Sequence, residues 1–251
     1  MDQASIQKAA DALVAARRSM TPLQGLPAGT SPATPTEAHA IQDATTRLLG
    51  KTVGAYKTMT RNGQPTERGI IYAGTVFTTP AAVPAATMPQ CGVEGEVAFV
   101  FRQPLPPRAA PYTREEVAGS VEPFAAIELV HSRFAADAPI GPLDKLADSV
   151  SNAGFVAAPV RSDWHELELG ALPVTLTVNG ETILSQVGGH FTGDPLGVAV
   201  AFVNLMRESV GLAAGAIVTS GTCTGLHFLK PGDTCTVRFE GLGEATVTFT
   251  V

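Results

Sequence analysis

Read along its length, the chain predicts an α+β fold in which strands dominate. Three observations predict it. Apolar residues recur at helical spacing near the start, and a second helix start is marked at Thr34. From Lys51 onward, short apolar or alternating runs are broken by Gly, Asn and Pro turns. One further helix start, Asp194-Pro195, stands among those strands.

The elements follow in order. Ile6, Ala9, Ala10, Leu13 and Val14 repeat at helical spacing, with Lys8, Asp11 and Arg18 elsewhere on the cylinder. A Pro/Gly-rich connector, Thr21 to Ser31, comes next. Thr34 is a good N-cap, Pro35 fits the first helical position, and Glu37 sits three residues on, where it would complete a capping box. This helix is expected to reach Leu49, stop at Gly50, and offer Ile41, Leu48 and Leu49 to the core. Thr60 to Pro65 reads as a loop from its turn residues. Val93–Phe101 and Phe124–Val130 read as strands. Leu172–Val178 and Thr182–Val187 read as a hairpin about Asn179-Gly180. The helix opened at Asp194 is expected to end at Gly211. Val237 and Phe239, then Val247, Phe249 and Val251, alternate with polar residues.

Composition narrows the function. The chain has 251 residues and no obvious linker, which suits one catalytic domain, 1–251. Within it, 1–50 is a helical portion and 51–251 a β-rich, metal-binding core. Hydrophobic residues make up 45%, enough for a substantial core, and charged residues only 16%. A sparsely charged surface suggests a homo-oligomer. With a net charge of −6 and no basic run beyond Arg17-Arg18, nucleic-acid binding is not expected. Cys91, Cys223 and Cys235 form no C-x-x-C pair or secreted disulfide framework. No signal-peptide core or stretch of transmembrane length stands out, so no membrane role and a cytoplasmic location are expected.

The chemistry centres on three glutamates. Glu94 and Glu96 lie one residue apart in Gly92–Phe101, so on a strand they share a face, while Val93, Val97, Phe99 and Phe101 share the other. Two like charges on one face repel, and a divalent cation relieves them. Glu128, set in the apolar run Ala125–Val130, would complete an all-oxygen site. Two plainer readings stay open: a solvated strand face for the pair, and a salt bridge for Glu128. Three carboxylates without a His or Cys set select a hard cation, Mg²⁺ or Mn²⁺. Its open positions suit a bidentate small molecule such as a 2-oxo acid. Lys57 is either a surface lysine with a packed stem or a group whose pKa falls beside a dication. Thr219–Gly225 is either a plain turn or a loop whose hydroxyls and backbone N–H groups grip a carboxylate. Cys223 is expected to pack rather than react.

These residues carry a resemblance. Glu37–Gln42, Gly54-Ala55-Tyr56-Lys57, Glu94–Phe99 and Ile127–Arg133 resemble the 2-keto-4-pentenoate hydratase and 4-oxalocrotonate decarboxylase group of the fumarylacetoacetate hydrolase superfamily. Ile183–Leu196 and Thr219–Leu242 also follow it, so the likeness covers most of the chain from about Thr34. It implies a mostly β core resembling the mixed β roll of that superfamily's C-terminal domain. It also implies metal ligation by Glu94, Glu96 and Glu128, and Lys57 as the active-site lysine. For substrate contact it favours Thr222, with Ser220 and Gly221 beside it, and Arg61 as a reader of a distal carboxylate. Asp148–Gly154 is expected to border the pocket. His131 stands where the group's pattern has Asp, and Ala55 where it has Gly. The resemblance implies a lyase hydrating a 2-hydroxy-2,4-dienoate, with a decarboxylase of a 2-oxo diacid as its closest rival. An acylpyruvate C–C hydrolase and a non-catalytic subunit follow. A complex with a paralogous hydratase or decarboxylase is a further expectation.

Overall fold

In the computed structural model, which describes residues 1–59 and 66–251, helix α1 spans Gln3–Ser19. Asp2 caps it by accepting from Ser5 N at 2.8 Å, and its buried stripe is Ala9, Ala10, Leu13, Val14 and Ala16. Helix α2 spans Pro35–Leu49, starting at Thr34 and ending at Gly50 as expected. The reciprocal capping box does not form. Thr34 accepts from Glu37 N, but the Glu37 carboxylate reaches one residue further back to Ala33 N and binds the Met1 amine. Leu48 also departs from expectation: the packed face stops at Thr46, and Leu48 is 37% exposed.

Two short helices, α3 (Arg114–Ala118) and α4 (Pro142–Ala147), were not foreseen. Helix α5 runs Pro195–Met206. It ends five residues before Gly211, whose left-handed backbone closes the following turn by donating to Met206 O at 2.9 Å.

Among the described residues, twelve strands form two sheets. The strands are β1 (Val53–Met59), β2 (Glu67–Tyr72), β3 (Val76–Thr78), β4 (Ala81–Pro84), β5 (Gly92–Phe101) and β6 (Val121–Val130). They continue as β7 (Asn152–Ala157), β8 (Pro173–Val178), β9 (Glu181–Val187), β10 (Ile217–Phe228), β11 (Thr234–Phe239) and β12 (Gly243–Thr250). One sheet has the order β2-β1-β10-β5-β6-β7-β3, the other β4-β12-β11-β8-β9. Both mix parallel and antiparallel pairs, giving the α+β architecture with a mostly β core.

The central strands of the larger sheet, β5 and β6, are buried on both faces. Val93, Val97, Phe99 and Phe101 join Ile127 and Leu129, together with Val174, Val237 and Val247 of the smaller sheet, in the main core. The opposite face carries a smaller cluster of Ala55, Ile71, Ala98, Phe124, Ala126 and Phe155. Glu94, Glu96 and Glu128 stand on this second face by the period of two. Gly95, between the first two, allows the close packing of sheets: a Cβ there would fall 2.6 Å from Val237 Cγ1.

Helices α1, α2 and α4 pack into a third cluster, with Leu13, Ile41, Phe134 and Leu146 at its centre. Gln42 ties α2 to β2 and α4, donating to Arg68 O at 2.9 Å and to Leu146 O at 2.5 Å. His39 Nε2 accepts from Arg68 N, and burial pushes the ring down to about 4.

Candidate metal and active site

Strand register brings the three glutamates together. In the antiparallel β5–β6 pair, Glu94 lies directly opposite Glu128, and Glu96 opposite Ala126. One carboxylate oxygen from each of Glu94, Glu96 and Glu128 lies within 4.8 Å of the others. Like charges in directly opposed pairs destabilise a sheet, so this arrangement is costly on its own. The solvated-face reading fails, because Glu96 and Glu128 are fully buried.

Lys57 enters from β1, which runs parallel to β10 with Lys57 beside Thr219. Its neighbour on β2 is Gly69, where a Cβ would fall 2.8 Å from Lys57 Cγ and 2.9 Å from Ser149 O. Only glycine leaves that lane clear for the lysine stem. Lys57 is buried, not a surface residue, and its Nζ donates to Glu128 Oε1 at 2.7 Å. The salt bridge considered for Glu128 therefore exists, within the glutamate cluster itself.

The hydrogen bonds leave two oxygens over. Glu128 Oε1 also accepts from Asn152 Nδ2 at 3.0 Å. Glu96 Oε2 accepts from the Thr219 hydroxyl and from Gly221 N. Among the described residues, Glu96 Oε1 and Glu128 Oε2 are buried without a partner. Buried charged oxygens without donors call for a bound group. The all-oxygen donor set fits a hard dication held by Glu94, Glu96 and Glu128. One ammonium against three carboxylates leaves an excess of negative charge that such an ion offsets.

The pKa directions agree. Burial and the Glu128 charge push Glu94 up to about 7, and burial with both neighbouring glutamates pushes Glu96 well above the carboxylate range. Burial works to lower Lys57, but Glu128, Glu94 and Glu96 outweigh it and the net direction is upward. The fall expected of Lys57 belongs to a site carrying a dication; the protein's own groups hold it charged.

The cluster opens into a cavity of about 390 Å³ lined by Lys57, Thr58, Met59, Glu94, Glu96, Val150, Phe191, Gly221 and Thr222. Thr219–Gly225 is not a loop between strands. It lies inside β10, which is irregular against β5 on both sides of Thr222. Ser220 departs from expectation: its hydroxyl is buried, donates to Val97 O at 2.7 Å, and does not line the cavity. Gly221 lines the cavity, but its N–H is taken by Glu96. Thr222 Oγ1 accepts from Thr224 N and Gly225 N, which leaves its O–H to donate. Arg61 lies outside the described residues. Arg68 pairs with Asp43 at 2.8 Å. Cys223 is buried and its thiol is pushed up to about 12 by burial first.

Three residues near the centre escaped the sequence reading as individuals. Val150 and Asn152 belong to the stretch expected to border the pocket, yet Val150 O faces Lys57 Nζ at 3.5 Å and Asn152 touches Glu128. Thr219 holds Glu96. Ser149, Val150 and Ser151 all have positive φ, between 53° and 63°, a sharp backbone reversal that no sequence signal announced. His131 does not line the cavity. It sits by Arg133, and burial lowers it to about 4.

Comparison with known proteins agrees with the architecture. The model of the "Fumarylacetoacetate (FAA) hydrolase C-terminal" family matches residues 54–250. The 2-keto-4-pentenoate hydratase of Paraburkholderia phymatum is 30% identical over 247 residues, covering 93% of this chain and 92% of that protein. A 4-oxalocrotonate decarboxylase of Pseudomonas putida is 25% identical over 158 residues, covering 62% of this chain and 59% of that protein. The solved 4-oxalocrotonate decarboxylase from Pseudomonas putida G7, complexed with magnesium and adipate, shares the fold. Its TM-score is 0.86 at 20% identity, over 99% of this chain and 98% of that one. Among the described residues, no helix is long and apolar enough to cross a membrane.

Proposed function

The chain belongs to the fumarylacetoacetate hydrolase C-terminal family, and from that premise we propose that it is a Mg²⁺- or Mn²⁺-dependent lyase hydrating a 2-hydroxy-2,4-dienoate to a 4-hydroxy-2-oxo acid. The observation that carries this reading is the meeting of Glu94, Glu96 and Glu128 around Lys57 at a cavity sized for a small acid. In this reading 1–251 acts as one catalytic domain, with 1–50 bracing a metal-binding core formed by 51–251.

When bound, the dication supplies Lewis-acid polarisation to the carboxylate and 2-oxygen of the substrate. Glu94, Glu96 and Glu128 hold it, and Thr219, Gly221 and Asn152 fix the orientation of Glu96 and Glu128. The 2-hydroxyl gives up its proton and the far carbon gains one, which conjugates the remaining double bond with the 2-ketone. Water then adds its oxygen at C4 and a proton at C3. Lys57, facing the cavity and tied to Glu128, moves these protons directly or through an ordered water. Thr222 O–H is placed to donate to a substrate oxygen. The low charged content of the chain, 16% of residues, supports a homo-oligomer, and the family adds to this reading a complex with a paralogous hydratase or decarboxylase and a cytoplasmic location.

Decarboxylation of a 2-oxo diacid is the second reading, favoured by the similarity to 4-oxalocrotonate decarboxylase. A proton NMR time course with Mg²⁺ or Mn²⁺, on 2-hydroxypenta-2,4-dienoate and on 4-oxalocrotonate, separates the two. Water addition to the first without CO₂ release from the second is expected. CO₂ release from the second alone moves the assignment to decarboxylase, and silence on both overturns the lyase reading.

A further inference from the structure

Among the described residues, the cavity wall includes one aromatic side chain, and the reaction gives it no task. Phe191 is 48% exposed, although buried phenylalanines fill both cores. We infer that Phe191 determines specificity, offering a flat apolar wall that selects a 2-oxo acid with an uncharged tail over one ending in a second carboxylate. The inference rests on the proposed reading of this cavity as the 2-oxo acid site.

Phe191 is delivered to the cavity by fixed anchors. Before it, Gln186 Nε2 donates to Cys223 O at 2.8 Å, and His190 Nε2 donates to Ser220 O at 2.9 Å. His190 Nδ1 then accepts from Thr192 N, which settles the neutral tautomer. After it, Asp194 caps α5 by accepting from Gly197 N at 2.9 Å and pairs with Arg114. The Phe191 ring lies 4.7 Å from the His190 ring, centroid to centroid. Its edge rests against Gly221, where a Cβ would fall 2.6 Å from Phe191 Cε1. The ring therefore touches the backbone that donates to Glu96. A half-exposed aromatic held this way has one face left for a ligand, and a conjugated or alkyl tail suits it.

The polar inventory points the same way. Among the described lining residues the one cation is Lys57, already paired with Glu128. Thr58 Oγ1 is committed to Glu67 O. Beyond the carboxylates, Met59, Val150 and Phe191 offer apolar surface. A second carboxylate would lose water there and gain no cation from these side chains.

Titration calorimetry of the Mn²⁺-loaded protein with non-reacting 2-oxo acids tests this. The probes are pyruvate, 2-oxohexanoate and 2-oxoadipate. The wild-type protein is expected to bind 2-oxohexanoate more tightly than either other acid. Phe191→Ala is expected to lower the ratio of 2-oxohexanoate to pyruvate affinity about tenfold, the scale of a lost apolar contact. Phe191→Leu, the safer variant for folding, should lower it less. An unchanged ratio in both variants overturns the inference, as does a wild-type preference for 2-oxoadipate. Binding does not need turnover, so the two proposals fail separately. A lowered ratio without water addition to the dienoate sinks the hydratase alone. Water addition with an unchanged ratio sinks the role of Phe191 alone. A wild-type protein that binds none of the acids overturns both.

Discussion

Two clusters of buried charge flank the reversal at Ser149–Ser151, and they are built in opposite ways. On one side, Asp148 is enclosed by Arg133 and Arg17. Both its oxygens accept: Oδ1 from Arg133 Nε at 2.6 Å and Arg17 Nη2 at 3.1 Å, and Oδ2 from Arg133 N at 3.1 Å. Arg133 further binds the Asp148 and His131 carbonyls. What stays unpaired there is Arg17 Nε and the neutral ring nitrogen of His131, not a charged oxygen. On the other side, the Lys57 cluster is short of donors, with two carboxylate oxygens unpaired. The satisfied cluster is a clamp that fastens α1 and the end of β6 to the reversal. The unsatisfied one is the proposed cation site, with two buried carboxylate oxygens left for a bound group. The clamp also serves the site, because the segment it fixes carries Val150 O and Asn152 to Lys57 and Glu128.

The sharpest way to break this contrast is to remove one carboxylate from each cluster. Asp148→Ala strands the buried Arg133 guanidinium and the partly buried Arg17, and is expected to destabilise the protein by about 3–5 kcal/mol in urea unfolding. Glu96→Gln is expected to do the reverse to the metal-free protein and raise its melting temperature, since Gln is neutral without the proton that the raised pKa makes Glu96 take up on folding. The same change should lower turnover by about 10²–10³-fold. A melting temperature that falls in Glu96→Gln would mean that the glutamates are a structural network like the clamp.

The pH dependence sharpens the comparison further. Glu94 and Glu96 have folded pKa values raised above the ordinary carboxylate value, Glu94 to about 7. The contribution of Glu94 to metal-free stability is fully present below about 4.5 and is lost as pH rises through about 7, and Glu96 acts in the same direction. His39 and His131, lowered to about 4, run the other way. The clean readout is therefore the difference between metal-loaded and metal-free melting temperatures. It should grow from pH 5 to pH 7, as protons stop competing with Mg²⁺. A difference that stays flat across that window would remove the three-carboxylate site from consideration. The smallest expected effect is that of Asn152→Ala, which removes one of the two donors to Glu128 Oε1 and should weaken Mn²⁺ binding about 10–100-fold with little loss of stability.

Much of this was legible in the chain itself, for reasons that act over a few residues. The stripes of α1 and α2, the cap at Thr34 and the Asn179-Gly180 turn each depend on side chains within one or two turns of backbone. The shared face of Glu94 and Glu96 follows from the strand period alone. The reading faltered where neighbours decide. Glu37 took Ala33 N and the Met1 amine instead of closing its box, and Leu48 lay beyond the packed face of α2. Ser220, placed by its motif among ligand donors, points back to Val97 O because β10 keeps strand alternation before its irregular stretch. Asn152 and Phe191 carried no local signal, since an Asn in a polar stretch and a Phe near glycines suit many places.

By itself the sequence determined the three longer helices, about half of the strands, and the shared face of Glu94 and Glu96, because periodicity and turn chemistry are local. Only the tertiary structure decided that Glu94 faces Glu128, that Lys57 reaches Glu128, and that Asp148 holds the reversal behind them. Those pairings join residues far apart in the chain. Their register is set by which faces of two whole sheets can be buried together.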